Sequence, residues 1–298
     1  MIYLIIRNMQ VQDLNAEGNG YTLGASMLIT SAVGFAEAFR RQVPDLVSRI
    51  NGVAVALSDF HLHGTKAGPF YRLSQTRNPI AMKIPGITTE KLLNPPIQAE
   101  AKANATISLV LQLQATGLHQ SIIDALDAWL PKTRFAGGFI CRYDSIDKPF
   151  AARRDIFNSI RNWGSTTRFF VDRADILTSR DDGTDALDAL LDAMAVTMHD
   201  GVWRRAQPGW IVPIAVGYQG IEYPTDRPGR RDSGTPHMYA SPLTGLAELV
   251  TASRIARNSQ SNDSYPIFFR QYWRSESATS FVSARHPQSL ATQETLDG

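Results

Sequence analysis

The stretch Ala105-Thr106-Ile107-Ser108-Leu109-Val110-Leu111-Gln112-Leu113 decides the fold. Apolar residues fill every second position, and Thr106, Ser108 and Gln112 occupy three of the four positions between them. This alternation is typical of a β-strand whose one side faces a core. The run therefore predicts a strand, and the elements on either side of it along the chain determine the kind of sheet it joins.

Three elements precede this strand. Residues 52–57 (GVAVAL) form a second apolar run that predicts a strand. Residues 28–43 predict a helix, which begins near Thr30 or Ser31 and is stopped by Pro44. Residues 2–8 open the chain with another strand-like run. The order up to residue 113 is therefore strand, helix, strand, strand.

Two elements follow it. Residues 121–130 predict a short amphipathic helix, and residues 134–140 predict a strand that is entered through Gly137 and Gly138. The order over residues 2–142 is then β-α-β-β-α-β, which predicts an α+β protein with a ferredoxin-like or RRM-like domain. Because many unrelated functions share this order, it does not fix the function.

A long irregular insertion separates the second and third strands. Residues 61–103 lack a regular period and are rich in Gly and Pro. Insertions of this length in compact proteins are usually functional or disordered. We predict domains at residues 1–145, with the insertion at 61–103, and at 146–286, where a smaller α+β region packs on the first. Residues 287–298 are predicted to be a disordered tail.

The second half contains one strand with a distinctive composition. In Pro208-Gly209-Trp210-Ile211-Val212-Pro213-Ile214-Ala215-Val216-Gly217-Tyr218, Pro213 cannot donate to a sheet, so the run predicts an edge strand or a strand interrupted by a bulge. Residues 186–199 and 243–257 predict helices.

Composition limits the classes of function. No apolar run approaches the roughly 20 residues needed to span a bilayer, and the first residues do not resemble a signal peptide. We therefore predict no membrane association. Cys141 is the single cysteine, so an internal disulfide is excluded and a cytoplasmic protein is favoured. Its strand-like surroundings predict that Cys141 packs in the interior.

The net charge of +2 conceals an excess of arginine, with 24 Arg among the 30 basic residues. Arginine suits phosphate and base recognition, although a high-GC genome also favours arginine codons. Residues 132–180 are basic, whereas residues 181–200 hold six Asp and no Lys or Arg. This separation predicts a basic and an acidic surface on the same protein.

No motif predicts catalysis, a metal or a cofactor. The chain contains neither a P-loop nor a nucleophile elbow. His61 and His63 lack a second pair of ligands at metal-binding spacing. The cluster from Asp181 to Asp188 lacks the Gly and the terminal Glu of a calcium loop.

Arginines interleaved with aromatic residues are the best candidates for RNA binding, because rings stack on unpaired bases and guanidinium groups bind phosphates. An alternative is that the rings belong to the core and the arginines are simply solvated. The candidates fall in three segments: Arg153, Arg154, Arg161 and Trp163; Arg227, Arg230 and Arg231 in a Pro/Gly-rich loop; and Arg270 and Arg274 around Tyr272-Trp273. The last two segments are also compatible with a solvated loop and an amphipathic edge strand.

Several separate segments, in the same order and spacing, resemble one protein family. They are the opening strand with its helix (Gly34-Phe35-Ala36-Glu37), Gly52-Val53-Ala54-Val55 with Leu73-Ser74-Gln75-Thr76-Arg77-Asn78-Pro79, the strand around Ser108-Leu109-Val110-Leu111, Arg134-Phe135-Ala136-Gly137-Gly138, and Gly209-Trp210-Ile211-Val212-Pro213-Ile214 with Gly217-Tyr218 and Gly245-Leu246-Ala247-Glu248. Together they resemble the Cas-five-type (Csy-two-type) RAMP subunit of type I-F CRISPR surveillance complexes.

The resemblance implies a non-catalytic subunit that binds and caps the 5′ handle of the crRNA. It implies as partners a large subunit and backbone (Cas-seven-type) subunits, and target double-stranded DNA through the complex. The insertion at 61–103 would be a thumb containing Thr76, Arg77 and Asn78. Arg134, Gly137, Gly138 and Tyr218 would lie near RNA, and Arg227, Arg230 and Arg231 are possible DNA contacts.

Two alternatives remain open. A related RAMP endoribonuclease is expected to carry a catalytic His on or near its first helix, but residues 28–43 contain none. A structural adaptor would need no RNA contact and would assemble without RNA.

Overall fold

The computed structural model describes residues 1–17, 24–68, 70–73, 75–77, 97–99, 101–116, 119–178, 185–228, 234, 236–258, 266–276 and 279–285. The helices within these residues are α1 (Leu28–Gln42), α2 (His119–Trp129), α3 (Arg153–Ile160), α4 (Ala174–Thr178), α5 (Ala186–Met194) and α6 (Ala252–Asn258).

The strands of the first half are β1 (Ile2–Asn15), β2 (Val47–Leu62), β3 (Gly64–Ala67), β4 (Phe70–Leu73), β5 (Gln75–Arg77), β6 (Ile97–Ala99), β7 (Lys102–Ala115), β8 (Arg134–Phe135), β9 (Gly138–Arg142) and β10 (Ser145–Phe150). Those of the second half are β11 (Arg168–Asp172), β12 (Val196–His199), β13 (Val202–Arg205), β14 (Ile211–Gly220), β15 (Ala240–Thr251), β16 (Arg270–Glu276) and β17 (Thr279–Arg285).

The ferredoxin-like prediction is confirmed by the strand order. β9 lies beside β1, β1 beside β7, and β7 beside β2, and these pairs are antiparallel. Counted as the four strands of the β-α-β-β-α-β unit, the order is fourth, first, third, second. Residues 105–113 lie in β7, which has β1 on one side and β2 on the other.

The second half extends this same sheet. β11 pairs with β2 through Arg168–Leu57 and Phe169–Ala56, and β15, β14, β17 and β16 follow in that order. Within the described residues, eleven strands belong to the sheet. Strands from both sides of the predicted boundary at residue 145 therefore hydrogen-bond into one sheet.

Both faces of the sheet bury apolar side chains. On one face, α1 and α2 pack over alternate residues of β1, β2 and β7, and this core also includes Ile214 and Phe269 from the second half. On the other face, α3 and α6 pack over Tyr3, Ile5 and Val110. A smaller cluster joins α4 and α5 to β14 and β15. Because successive side chains of a strand project to opposite faces of the sheet, neighbouring residues of one strand contribute to the cores on opposite faces.

Some sequence-based predictions of elements were wrong or too long. Residues 243–257 form most of β15 followed by the short helix α6, because β15 lies between β14 and β11 and pairs with both. The helix predicted for 186–199 ends at Met194, and the β12–β13 hairpin follows. The bulge predicted for the Pro213 strand is confirmed: the register of β14 on β15 shifts between Ala215 and Gly217.

The insertion after β2 contains two short antiparallel pairs. β3 pairs with β4, and β5 pairs with β6. The predicted residues Thr76 and Arg77 lie on β5, opposite Gln98 and Ile97. Asn78 lies outside the described residues, as do Arg230, Arg231 and the predicted disordered tail.

Candidate nucleic-acid interface

The thumb and the hairpin formed by β8 and β9 emerge from the same end of the sheet. The Asn15 backbone N–H donates to the Ala136 carbonyl (2.9 Å) in the β8–β9 turn. On the other side of β1, Asn15 pairs with Lys102 of β7. The His63 backbone N–H then donates to the Lys102 carbonyl (2.7 Å), where the thumb leaves β2. We call this region the thumb end.

The β8–β9 turn is built for tight reversal. Ala136 and Gly137 both have positive φ angles, 49° and 80°, which two-residue hairpin turns of this hand require. Gly138 is buried, and a Cβ atom there would lie 2.5 Å from the Gln12 carbonyl oxygen. The glycine at 138 is thus explained by close packing on β1, whereas Gly137 is exposed.

Arg134 is exposed beside this turn. Its guanidinium carbon lies 4.2 Å from the centroid of the Phe139 ring, and Nη1 donates to the Gly137 carbonyl at 3.4 Å. Phe139 is itself 52 % exposed. Phe139 was not among the residues predicted from the sequence, although the alternation in β9 of the exposed Phe139 with the inward-packing Ile140 is a signal that points to it.

The arginine–aromatic segment around α3 divides into core rings and surface charges. Trp163 is 6 % exposed and stacks on Phe169, with ring centroids 5.6 Å apart. Its buried ring fits the alternative of core packing that the sequence left open. Arg154 and Arg161 are exposed, and Arg153 lies over Phe157 and Phe268.

Three further predicted residues, Tyr218, Arg270 and Arg274, lie on strands of the second half. Tyr218, on β14, is 45 % exposed. Arg270 is half-buried at the start of β16, and the backbone of Arg274 pairs with Phe281 on the same strand pair. β16 stands last in the strand order, which fits the alternative of an edge strand, and Phe269 just before it pairs with Val53 of β2.

Arg227 is held by its own loop. Its Nη2 lies 2.6 Å from a carboxylate oxygen of Glu222, and its guanidinium lies 4.6 Å from the Tyr239 ring centroid. The Tyr239 backbone N–H also donates to Glu222, and together with Arg227 it lowers the pKa of that carboxyl. An intramolecular carboxylate therefore already neutralises much of the Arg227 charge.

The histidines and the cysteine singled out in the sequence lie in different surroundings in the described part of the chain. No group of three His, Cys, Asp or Glu side chains among these residues could hold a metal ion. His63 contacts Asp13 at 3.4 Å, and His61 is exposed on β2 opposite Asn104. Cys141 is exposed, so the prediction that it packs in the interior is wrong. Each helix that the structure describes is too short or too polar to cross a membrane.

Comparison with known proteins defines the class of this protein. A relative from Pseudomonas aeruginosa (strain UCBPP-PA14), CRISPR-associated protein Csy2, is 26 % identical over 297 residues, covering 85 % of this chain and 88 % of that protein. The protein is thus of the CRISPR-associated class. The model of the CRISPR-associated Csy2 family matches residues 4–280, and the chain belongs to the Csy2 family. It is accordingly a structural subunit of the type I-F CRISPR Csy complex, which serves antiviral defence.

Proposed function

We propose that this protein acts in the cytoplasm as the Cas-five-type subunit that binds and caps the 5′ handle of the crRNA, without catalysing a reaction. The observation that supports this most directly is the common location of the thumb and the Arg134 hairpin. β1 and β7 lie between the β8–β9 hairpin and the end of β2, where the thumb begins at His63. At ordinary strand spacing, the distance from the hairpin to this start of the thumb is about 15 Å. A single-stranded RNA segment can contact both.

The charges of the thumb end suit the RNA backbone. Arg134 and Lys66, the latter on β3, are exposed. Lys102, on β7, lies between the β8–β9 hairpin and the start of the thumb at His63. Arg77 adds a further positive charge within the thumb. Phosphate contacts of this kind supply most of the affinity for nucleic acid and make it salt-dependent. In this proposal Arg77 and Arg134 hold the handle, and Thr76, Asn78 and Gly137 contact it as well.

We assign the arginines that lie away from the thumb end to segments of nucleic acid other than the handle. Arg153, Arg154 and Arg161 would meet RNA beyond the handle, and Tyr218 on β14 and Arg270 and Arg274 on β16 would do so on the strands of the second half. Target DNA would contact the loop that contains Arg227, Arg230 and Arg231. Because Glu222 already pairs with Arg227, Arg230 and Arg231 would supply most of the attraction for DNA in that loop.

An apolar hairpin in the second half supports a protein partner. Met198 and Trp203 pair across β12 and β13, and they are 54 % and 65 % exposed. Leu187 and Leu191 on the preceding helix are also exposed. Exposed apolar groups of this size commonly mark protein interfaces. We assign this surface to the large subunit, since backbone (Cas-seven-type) subunits follow the RNA and would adjoin the thumb end.

The experiment is to tag the protein in its host, purify the assembly that accompanies it, and sequence both ends of the bound RNA. Short RNAs that share one 5′ segment and differ downstream are the expected result. Random fragments, or an assembly that persists without RNA after nuclease treatment, would instead favour the structural adaptor.

A further inference from the structure

In the part of the chain that the structure describes, α3 and α6 cover one face of the ferredoxin-like sheet along only part of its length. α3 and α6 bury Tyr3 and Ile5 of β1 and Ala54 and Ala56 of β2. Further toward the thumb end, the side chains on this same face are exposed or half-buried. We call this uncovered region the open face; its residues are Gln10, Gln12, Asp59, His61, Asn104, Thr106, Arg134, Phe139 and Arg142.

Strand register places these residues on one side of the sheet. Gln12 pairs with Phe139, and Gln10 pairs with both Arg142 and Thr106. On the next strands, Asn104 pairs with His61. Directly paired residues of antiparallel strands project to the same face. The intervening residues, such as Val11 and Ile107, belong to the opposite core.

Phe139 is the only large apolar side chain of the open face. It is 52 % exposed on a surface of amides, hydroxyls and charges, and the Arg134 guanidinium lies against it. An exposed aromatic ring on the uncovered face of such a sheet is the feature by which RNA-recognition motifs stack unpaired bases. The adjacent guanidinium plane can stack on a base as well.

The charge of the open face favours an anionic ligand. Arg134 and Arg142 are exposed there, and the half-buried Lys102 lies at its thumb-end border. Asp59 is the one carboxylate among the residues of the open face. An acidic protein surface could match the charge, but it would not use the exposed ring together with the amides of Gln10 and Gln12, which can donate to and accept from base edges.

We propose that the open face is a platform for unpaired RNA nucleotides, with one base stacked at Phe139 and phosphates near Arg134 and Arg142. The inference rests on the proposed RNA-capping function and adds to it the face and the ring that hold the bases. At ordinary strand spacing, the five strands of the platform (β1, β2, β7, β8 and β9) have room for about two or three nucleotides. The side-chain amides of Gln10 and Gln12 would form hydrogen bonds with the edges of the bases.

The test compares the complex carrying Phe139→Ala with one carrying Tyr223→Ala. Tyr223 is a matched control because it is 63 % exposed and lies outside the open face. The ligand is synthetic RNA with the 5′ sequence recovered from the purified complex. Because stacking on an aromatic ring contributes about 1–3 kcal/mol per base, Phe139→Ala is expected to weaken binding roughly 5- to 150-fold, and Tyr223→Ala is expected to leave it unchanged.

Cys141 provides a second measurement that does not depend on a variant. It is the single cysteine, it is exposed, and its Sγ lies 3.6 Å from Oε1 of Gln12 on the open face. We expect bound RNA to slow the reaction of this thiol with a maleimide, and nuclease treatment of the complex to restore the rate.

The outcomes separate the two proposals. If the wild-type complex binds no defined RNA, the capping function itself fails. If it binds RNA while Phe139→Ala behaves as Tyr223→Ala does and Cys141 reacts at one rate with and without RNA, the capping function stands and the platform is wrong. Protection of Cys141 that survives removal of RNA would show that a protein subunit covers the face, which also overturns the platform.

Discussion

Gly138 lies so close to Gln12 that a Cβ atom at position 138 would stand 2.5 Å from the Gln12 carbonyl oxygen. The atoms in the way belong to the backbone of β1, which cannot move without disturbing its pairing on both sides. Overpacking of this kind typically costs about 1–3 kcal/mol. We expect Gly138→Ala to lower the free energy of unfolding by at least that amount, as measured by urea denaturation.

Gly34→Ala is the matched control for this substitution. Gly34 is exposed on α1, and a Cβ atom there meets nothing within 4 Å. Glycine inside a helix is less stable than alanine by about 0.5–1 kcal/mol, so Gly34→Ala should stabilise the protein. Equal stability of the two variants would contradict the close approach of β9 to β1.

Replacing Arg77 and Arg134 together by Ala should weaken binding of the handle RNA and make it less sensitive to salt. Each lost contact to a single-stranded phosphate lowers the slope of log affinity against log salt by about 0.7. The measurement is affinity at several salt concentrations. Arg41→Ala serves as control, because that side chain is 72 % exposed on α1, at a distance from the thumb. An unchanged slope in the double variant would remove both residues from the site.

Trp163→Ala should destabilise the fold, because the buried ring packs against Phe169 and against the Arg7 guanidinium. Truncation of a buried aromatic residue typically costs about 3–5 kcal/mol. Arg161→Ala, on the exposed surface nearby, should change the free energy of unfolding by less than about 0.5 kcal/mol. If the Trp163→Ala protein kept normal stability but lost affinity for RNA, Trp163 would belong to the RNA interface.

Replacing His61 and His63 by Gln should leave processing of the repeat RNA unchanged. A related endoribonuclease is expected to carry its general acid or base on or near the first helix, whereas His61 lies on β2 and His63 contacts Asp13. The measurement is the length of RNA recovered with the complex. Accumulation of uncut precursor would support the endoribonuclease.

Tyr143 should titrate at unusually high pH. Burial, together with its hydrogen bond to Asp127, raises the pKa of the phenol to about 12. Because the folded state holds this proton more tightly, the associated stability is complete below the ordinary tyrosine pKa near 10 and is lost as the pH rises through about 12. Absorbance titration should show a late transition that Tyr143→Phe removes and Asp127→Asn shifts to lower pH.

The first half of the fold was predictable because its elements carry clear local patterns. β7 alternates apolar and polar residues, and α1 ends near Pro44, so order and approximate position followed from periodicity. β15 was not predictable in this way. Since it pairs with strands on both sides and buries adjacent residues such as Leu246 and Ala247, its apolar run also fits a helix, and only long-range pairing decides between them.

The candidate site was predictable in part. The sequence identified Arg134 from its Gly-rich surroundings, but the open face depends on which residues of β1, β2, β7 and β9 are paired. Register between strands that are distant along the chain, from 43 residues (His61 and Asn104) to 132 residues (Gln10 and Arg142), leaves no local signal. The burial of Trp163 was not predictable either. The interleaved arginine–aromatic pattern around it is the same whether its ring faces solvent or the core.

The pairing of Val53 with Phe269 has a consequence for synthesis of the protein. The two residues exchange backbone hydrogen bonds of 2.7 and 2.9 Å, although Phe269 follows more than 200 residues later. Chains emerge from the ribosome with the amino terminus first, so β2 waits with an unpaired edge until the late segment appears. During that interval the nascent chain exposes a strand able to join a foreign sheet, and early engagement by a chaperone or a partner subunit would protect it.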